Sequence, residues 1–170
     1  MKICCLLLIF VATLHAQGEA QTWSQKKSIP RWARREFTNH NLERNYTITY
    51  QLYPPYFRGD FNGDDRRDAA ILVSHKKSGK FGIVIFHEKY PQTMSTQYFI
   101  LGAGKPFGAG DDIKKITSWS LIPENKVNLI LGNKRLPTFR GPIFKVEGKD
   151  GIKGLIFWNG KKYEWHNLNK

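Results

Sequence analysis

The chain has 170 residues, of which 27 are Lys or Arg and 14 are Asp or Glu, for a net charge of +13, and 14% are aromatic. This composition excludes a disordered polar chain, and the length suits one domain with a sizeable core. The only cysteines, Cys4 and Cys5, lie in the first segment; past it there is no disulfide, thiolate nucleophile or Cys-ligated zinc site.

In chain order, Lys2 comes first, then an apolar run over residues 3–14 that includes small Ala12 and Thr13, then small Ala16. Charged, apolar and small-residue regions in that order predict a cleavable signal peptide over residues 1–16, with cleavage after Ala20 as the alternative. A buried helix is the competing structural reading, but a polar segment follows at once. The run is shorter than the roughly 20 residues that cross a bilayer, and no later stretch is longer, so no integral membrane span is expected. The run does not end in the small-residue-then-Cys pattern of a lipoprotein. The expected localisation is therefore secreted or periplasmic. Loss of Lys2 with the leader takes the net charge from +13 to +12. A field of that sign attracts an anionic envelope polymer, an acidic glycan, anionic lipid or nucleic acid, although solubility alone also accounts for it. The densest basic cluster, Arg31, Arg34 and Arg35, is short and does not point to specific nucleic-acid binding.

Residues 17–45 form a polar, basic N-terminal segment. Within it, residues 30–37 predict one short helix with Pro30 in its first position and Trp32 and Phe37 packing on the domain. Residues 46–170 read as a single β-rich domain. Strands are predicted at 46–53, 68–74, 81–87, 96–101, 116–122, 127–131, 143–147, 154–158 and 162–166. Lys76-Lys77-Ser78-Gly79-Lys80 reads as a hairpin turn. Asn159-Gly160 predicts a two-residue hairpin turn, because both central residues of that turn take positive φ. Successive hairpins without a βαβ rhythm predict an all-β, mainly antiparallel fold, a sandwich or barrel-like, and no fixed-period repeat points to a full propeller.

One segment carries a specific chemical pattern. Residues 59–73 read Gly-Asp-Phe-Asn-Gly-Asp-Asp-Arg-Arg-Asp-Ala-Ala-Ile-Leu-Val. Oxygen side chains fall at Asp60, Asn62, Asp64 and Asp68, the first, third, fifth and ninth places of a loop. The backbone carbonyl of Arg66 holds the seventh. Calcium takes six to eight oxygen ligands, and a tight loop turns alternate side chains inward. Gly63 permits a sharp turn, and the apolar run after Asp68 anchors the loop in the core. Without a cation, Asp60, Asp64, Asp65 and Asp68 repel one another. The twelfth place is Ile71 rather than the bidentate Glu of an EF-hand. The competing reading is a metal-free acidic turn neutralised by Arg58, Arg66 and Arg67.

The pattern resembles the calcium loops of FG-GAP and VCBS-type repeats, as in integrin-like propellers, which run Asp-Phe-Asn-Gly-Asp-Gly, two residues, Asp and an apolar strand. The match spans about fifteen residues and departs at the sixth place, where the family's glycine is Asp65. Small exported bacterial proteins with one such loop also look similar, in a later segment like Leu101-Gly-Ala-Gly-Lys-Pro-Phe-Gly-Ala-Gly110 and a terminal hairpin like Ile156-Phe-Trp-Asn-Gly-Lys-Lys-Tyr163. The resemblance implies a fold context and bound Ca2+, not a reaction.

Other signals are weaker. Residues 102–110 are Gly-rich, but no Gly-Lys-Ser/Thr closes a P-loop, so a flexible loop is expected. Asp111 and Asp112 suit a second cation or, more simply, loop solvation or a helix cap. His40, His75, His87 and His166 show no metal-ligand spacing and read as ordinary strand-end residues; His87-Glu88 lacks the second His of a zinc protease. No Gly-x-Ser-x-Gly elbow is present. Trp119, Trp158, Trp165, Tyr163 and Tyr98 suit either a sugar-binding platform or, as the simpler expectation, core packing. Asn45-Tyr46-Thr47 is a glycosylation sequon, with meaning only in a eukaryotic secretory route. The sequence thus favours an exported calcium-binding β-domain acting as a binding or structural module, with no readable catalytic site. Two alternatives remain: a hydrolase of envelope polymers that uses carboxylates such as Asp111 and Asp112, and a polyanion-binding envelope protein.

Overall fold

The computed structural model of the chain describes residues 29–90, 96–108, 110–132 and 136–169. The predicted signal peptide and the residues up to 28 lie outside the described residues.

Helix α1 spans Arg31–Asn39 after Pro30, whose fixed φ suits a helix start. Ala33, Glu36 and Phe37 fall on its buried face. The strands follow as β1 (Tyr46–Ile48), β2 (Tyr56–Gly59), β3 (Asp68–His75), β4 (Phe81–His87), β5 (Gln97–Gly102) and β6 (Ile116–Ile122), then short helix α2 (Val127–Leu131), then β7 (Arg140–Gly148), β8 (Lys153–Trp158) and β9 (Tyr163–Asn167). All pairings are antiparallel. One sheet runs β1-β3-β4-β5 with β2 also on β3, and the other runs β6-β7-β8-β9. The fold is all-β with a short N-terminal helix.

Alternation along the strands places the core. Ala70 and Leu72 of β3, Ile83 and Ile85 of β4 and Leu101 of β5 share one cluster with Trp119, Phe144, Val146, Ile156, Trp158 and Tyr163 of the other sheet. The two sheets therefore pack face to face as a sandwich. The intervening residues Ala69, Ile71, Val73, Val84 and Phe86 point away from that core and are buried by Ile29, Ala33, Phe37, Leu42 and Tyr46. Burial on both faces explains why β3 and β4 read as continuous apolar runs rather than alternating ones. On the outer face of the second sheet, Val127 and Leu131 of α2 cover Ile143, Leu155 and Phe157.

Three local expectations are corrected. The strand predicted over 46–53 pairs only through Ile48. The Thr49 N–H still donates to the Leu72 carbonyl at 2.9 Å, then residues 50–55 leave the edge of β3, and pairing resumes as β2 at Tyr56, a strand the periodicity does not indicate. Pro54 and Pro55 have no N–H for a ladder. Residues 127–131 form a helix rather than a strand. Val127 and Leu131, four apart, are its buried residues, and that spacing belongs to one helical face. The turn at Asn159-Gly160 has four residues, since Trp158 pairs with Tyr163. The Asn159 side chain accepts the N–H of Lys161 and of Lys162, each at 2.9 Å, and this closes the wider turn.

Candidate functional site

The loop between β2 and β3 is held by its own carboxylates. Asp60 Oδ1 accepts the N–H of Gly63 at 2.6 Å and of Asp64 at 3.0 Å, and its Oδ2 accepts that of Asp65 at 2.7 Å. Asn62 Oδ1 accepts the Asp64 N–H at 3.1 Å, and Asp64 Oδ1 accepts the Arg66 N–H at 3.0 Å. The chain reverses through two left-handed residues, Gly63 at φ 75° and Asp65 at φ 64°. Aspartate tolerates that region better than most side chains, which is how Asp65 stands where the resembling loops carry glycine.

Two anchors fix the loop on the sandwich. The Phe61 ring is fully buried and meets Phe144 edge-on at 4.8 Å between centroids. Gly141 of β7 lies against the loop backbone, where a Cβ would stand 2.5 Å from the Asp60 carbonyl oxygen. The register of β7 on β8 slips between Arg140 and Phe144, a bulge that brings Gly141 to this position.

Asp68 differs from the other loop acids. It opens β3 with its side chain fully buried. Its Oδ2 accepts the Phe61 N–H and its Oδ1 the Glu88 N–H, both at 2.9 Å. Burial raises its carboxyl to about 7, with Asp64 and Asp60 adding to the rise and the two N–H donors opposing it. On the next strand, His87 is buried with Nε2 2.8 Å from the Tyr163 hydroxyl, among Phe99 and Trp158. Burial lowers its imidazole to about 4, against the attraction of Asp64 and Asp60. Burial also pushes the Tyr163 hydroxyl well above its usual range, helped by Asp68 and Asp60. His87 is the last residue of β4, as the sequence predicts, but it is buried rather than an ordinary exposed strand end. The signal for its burial was the β4 alternation, which puts it on the same face as Ile83 and Ile85.

The structure thus gathers Asp60, Asn62 and Asp64 in one turn, sets Asp68 at its base and leaves the Arg66 side chain exposed. Among the described residues no three His, Cys, Asp or Glu side chains converge as a metal-holding group. A cation here would therefore need Asn62 and the Arg66 carbonyl as well as the carboxylates. That donor set is entirely oxygen, which fits calcium or magnesium and not zinc or copper. Asp60 Oδ1 already accepts two N–H groups, but Asp60 Oδ2, Asp64 Oδ1 and both Asp68 oxygens accept one each and keep a second lone pair for a cation. Arg58, Arg66 and Arg67, the groups a metal-free turn would use for neutralisation, make no ion pair among the described residues.

The remaining candidates take structural places. Asp111 pairs with Lys80, and Asp112 Oδ1 accepts the N–H of Phe81 and of Lys114, each at 2.9 Å. Trp119, Trp158 and Tyr163 are core residues, and Tyr98 lies on the opposite face of the first sheet from that core, so the five aromatics form no common platform. No helix among the described residues is long and apolar enough to cross a membrane. The chain matches no protein-family model, no curated protein and no solved structure.

Proposed function

We propose that the chain is an exported calcium-binding β-domain that acts as a binding or structural module, with Asp60, Asn62, Asp64, the Arg66 carbonyl and Asp68 as the cation's ligands. The observation that carries this reading is the unneutralised loop. Its carboxylates are bonded only to backbone N–H groups, with no guanidinium or ammonium paired to them among the described residues. A hard divalent cation supplies that missing charge. The FG-GAP-like order of the loop residues supports the same reading, and so does Asp65 in the backbone conformation that glycine would adopt at the sixth place.

Export rests on the order of Lys2, the apolar run and Ala16. It is tested by the intact mass of protein recovered from outside the cytoplasm, where a chain starting at or near Gln17 is expected and one retaining Met1 contradicts it. Calcium binding is tested by titration calorimetry on chelator-treated protein. Binding that vanishes in Asp60→Ala supports the assignment, and no heat of binding in the wild type contradicts it.

A further inference from the structure

We propose that the outer side of this loop is an anion-binding groove, lined by Arg58, Arg66 and Arg67, that takes the sulfate or carboxylate groups of an acidic glycan. The inference deepens the calcium reading, since it names a ligand for the same loop.

Arg58 on β2 and Arg66 and Arg67 in the loop line one open groove together with Gly59, Asp60 and Asp65. All three arginines are exposed. Arg140 packs on the same loop at Gly63, its Cβ 3.2 Å from the place a Gly63 Cβ would occupy. None of the four makes an ion pair among the described residues, whereas Lys80, Lys115, Lys145 and Lys162 elsewhere each hold a carboxylate. The loop's rim is thus built from guanidiniums, whose planar fork binds carboxylate, sulfate and phosphate oxygens through paired N–H donors.

Charge links the two sides of the loop. Three guanidiniums, of Arg58, Arg66 and Arg67, line the groove with two carboxylates, of Asp60 and Asp65, and none of them is paired to a loop acid among the described residues. A divalent cation held by the loop offsets those carboxylates and makes the groove more positive. Anion affinity at the groove is then expected to rise with calcium, and calcium affinity to rise with the anion by the same factor. The occupant's class follows from what the groove lacks. No aromatic side chain lines it, so a nucleobase has no ring on which to stack. An acidic glycan needs only the guanidinium forks.

The test uses a heparin octasaccharide as probe, with calcium or chelator, against wild type and two triple variants. Arg58→Ala/Arg66→Ala/Arg67→Ala removes the rim. Lys77→Ala/Lys114→Ala/Lys149→Ala removes equal charge from exposed sites at the other end of the sandwich. The arginine variant is expected to bind about tenfold or more weakly than the lysine variant, with a shallower dependence of affinity on salt. Equal loss in both variants overturns the groove. Tighter arginine-dependent binding of a single-stranded DNA of matched charge overturns the glycan as its occupant. Thermal melting of the same samples separates the two readings. A wild type that melts identically with calcium and chelator fails the calcium reading and with it the charge linkage, while the arginine comparison still decides the groove. A wild type stabilised by calcium whose glycan affinity does not change overturns the linkage alone.

Discussion

Asp68 accepts the backbone N–H of Phe61 at 2.9 Å, so the last acid of the loop closes directly onto the residue whose ring anchors the loop in the core. Its other oxygen holds the N–H of Glu88 at the end of β4. Asp68→Ala strands both donors. Each unsatisfied buried N–H costs about 1–3 kcal/mol, offset in part by relief of a buried charge. The expected net loss is about 2 kcal/mol in chelator, read by urea denaturation. A variant as stable as wild type would mean that Asp68 does not hold the loop.

His87 gives a pH dependence of known sign. Its folded value of about 4 lies below the ordinary 6.5. Below pH 6.5 the unfolded chain takes up a proton that the folded chain refuses until about 4, so this contribution to stability is complete above 6.5 and is lost as pH falls toward 4. Asp68 acts oppositely. Its folded value of about 7 against the ordinary 3.8 means that stability is gained as pH falls through that window. His87→Gln keeps a partner for the Tyr163 hydroxyl and removes only the first effect. Relative to wild type, the variant should gain up to about 3 kcal/mol between pH 7 and pH 4. Parallel denaturation curves for the two proteins across that range would exclude His87 as a source of acid sensitivity.

Gly154 on β8 tests the packing between sheet and loop. A Cβ there would stand 2.2 Å from the six-membered ring of Trp165, and a Cβ on Gly108 would stand equally close to Trp165 Cβ. The indole thus fills space that two glycines leave open. Gly154→Ala is expected to displace the ring and cost about 1–3 kcal/mol, with a shift in tryptophan emission. Unchanged emission and stability would show that the indole has room to move.

Legibility followed the range of the interactions involved. The loop was readable because Asp60, Asn62 and Asp64 bond to backbone N–H groups two to five residues on, whereas the hold of Asp68 on Glu88 twenty residues away was not. Helix α1 was readable from Pro30 and Phe37, and the β3–β4 hairpin from its Lys-Lys-Ser-Gly-Lys turn. What was missed depends on distant partners or, at Asn159, on side-chain bonds that the dipeptide alone does not specify. Residues 127–131 are apolar enough for a strand, yet the outer face of β7 and β8 buries only Val127 and Leu131 and makes the segment a helix. The Asn159 side chain reaches Lys162, so its turn is two residues longer than Asn-Gly alone suggests. The β7 bulge that brings Gly141 to the Asp60 carbonyl has no counterpart in any local pattern.

Asp65 is the loop's strained position. At φ 64° a side chain other than glycine is disfavoured by about 1 kcal/mol. Asp65→Gly retains the backbone N–H that donates to Asp60. It also removes a like charge beside Asp60 and Asp64. The variant is expected to be more stable than wild type by about 0.5–1 kcal/mol in chelator, allowing for the greater flexibility of glycine in the unfolded chain. Calorimetry should show tighter calcium binding, and weaker binding would indicate that the Asp65 carboxylate takes part in holding the cation.

The central claim is tested most directly by thermal melting of the wild type in a few millimolar calcium and in chelator. A cation that binds only the folded state stabilises it by RT ln(1 + [L]/Kd). With Kd of about 10⁻⁴ to 10⁻³ M, typical of extracellular calcium modules, the gain is about 1–2 kcal/mol. In a domain of this size the melting temperature should rise by about 2–6 °C, and Asp60→Ala and Asp64→Ala should lose that rise. Identical melting of the wild type with calcium and with chelator would contradict the account and leave the loop between β2 and β3 as a self-capped acidic turn.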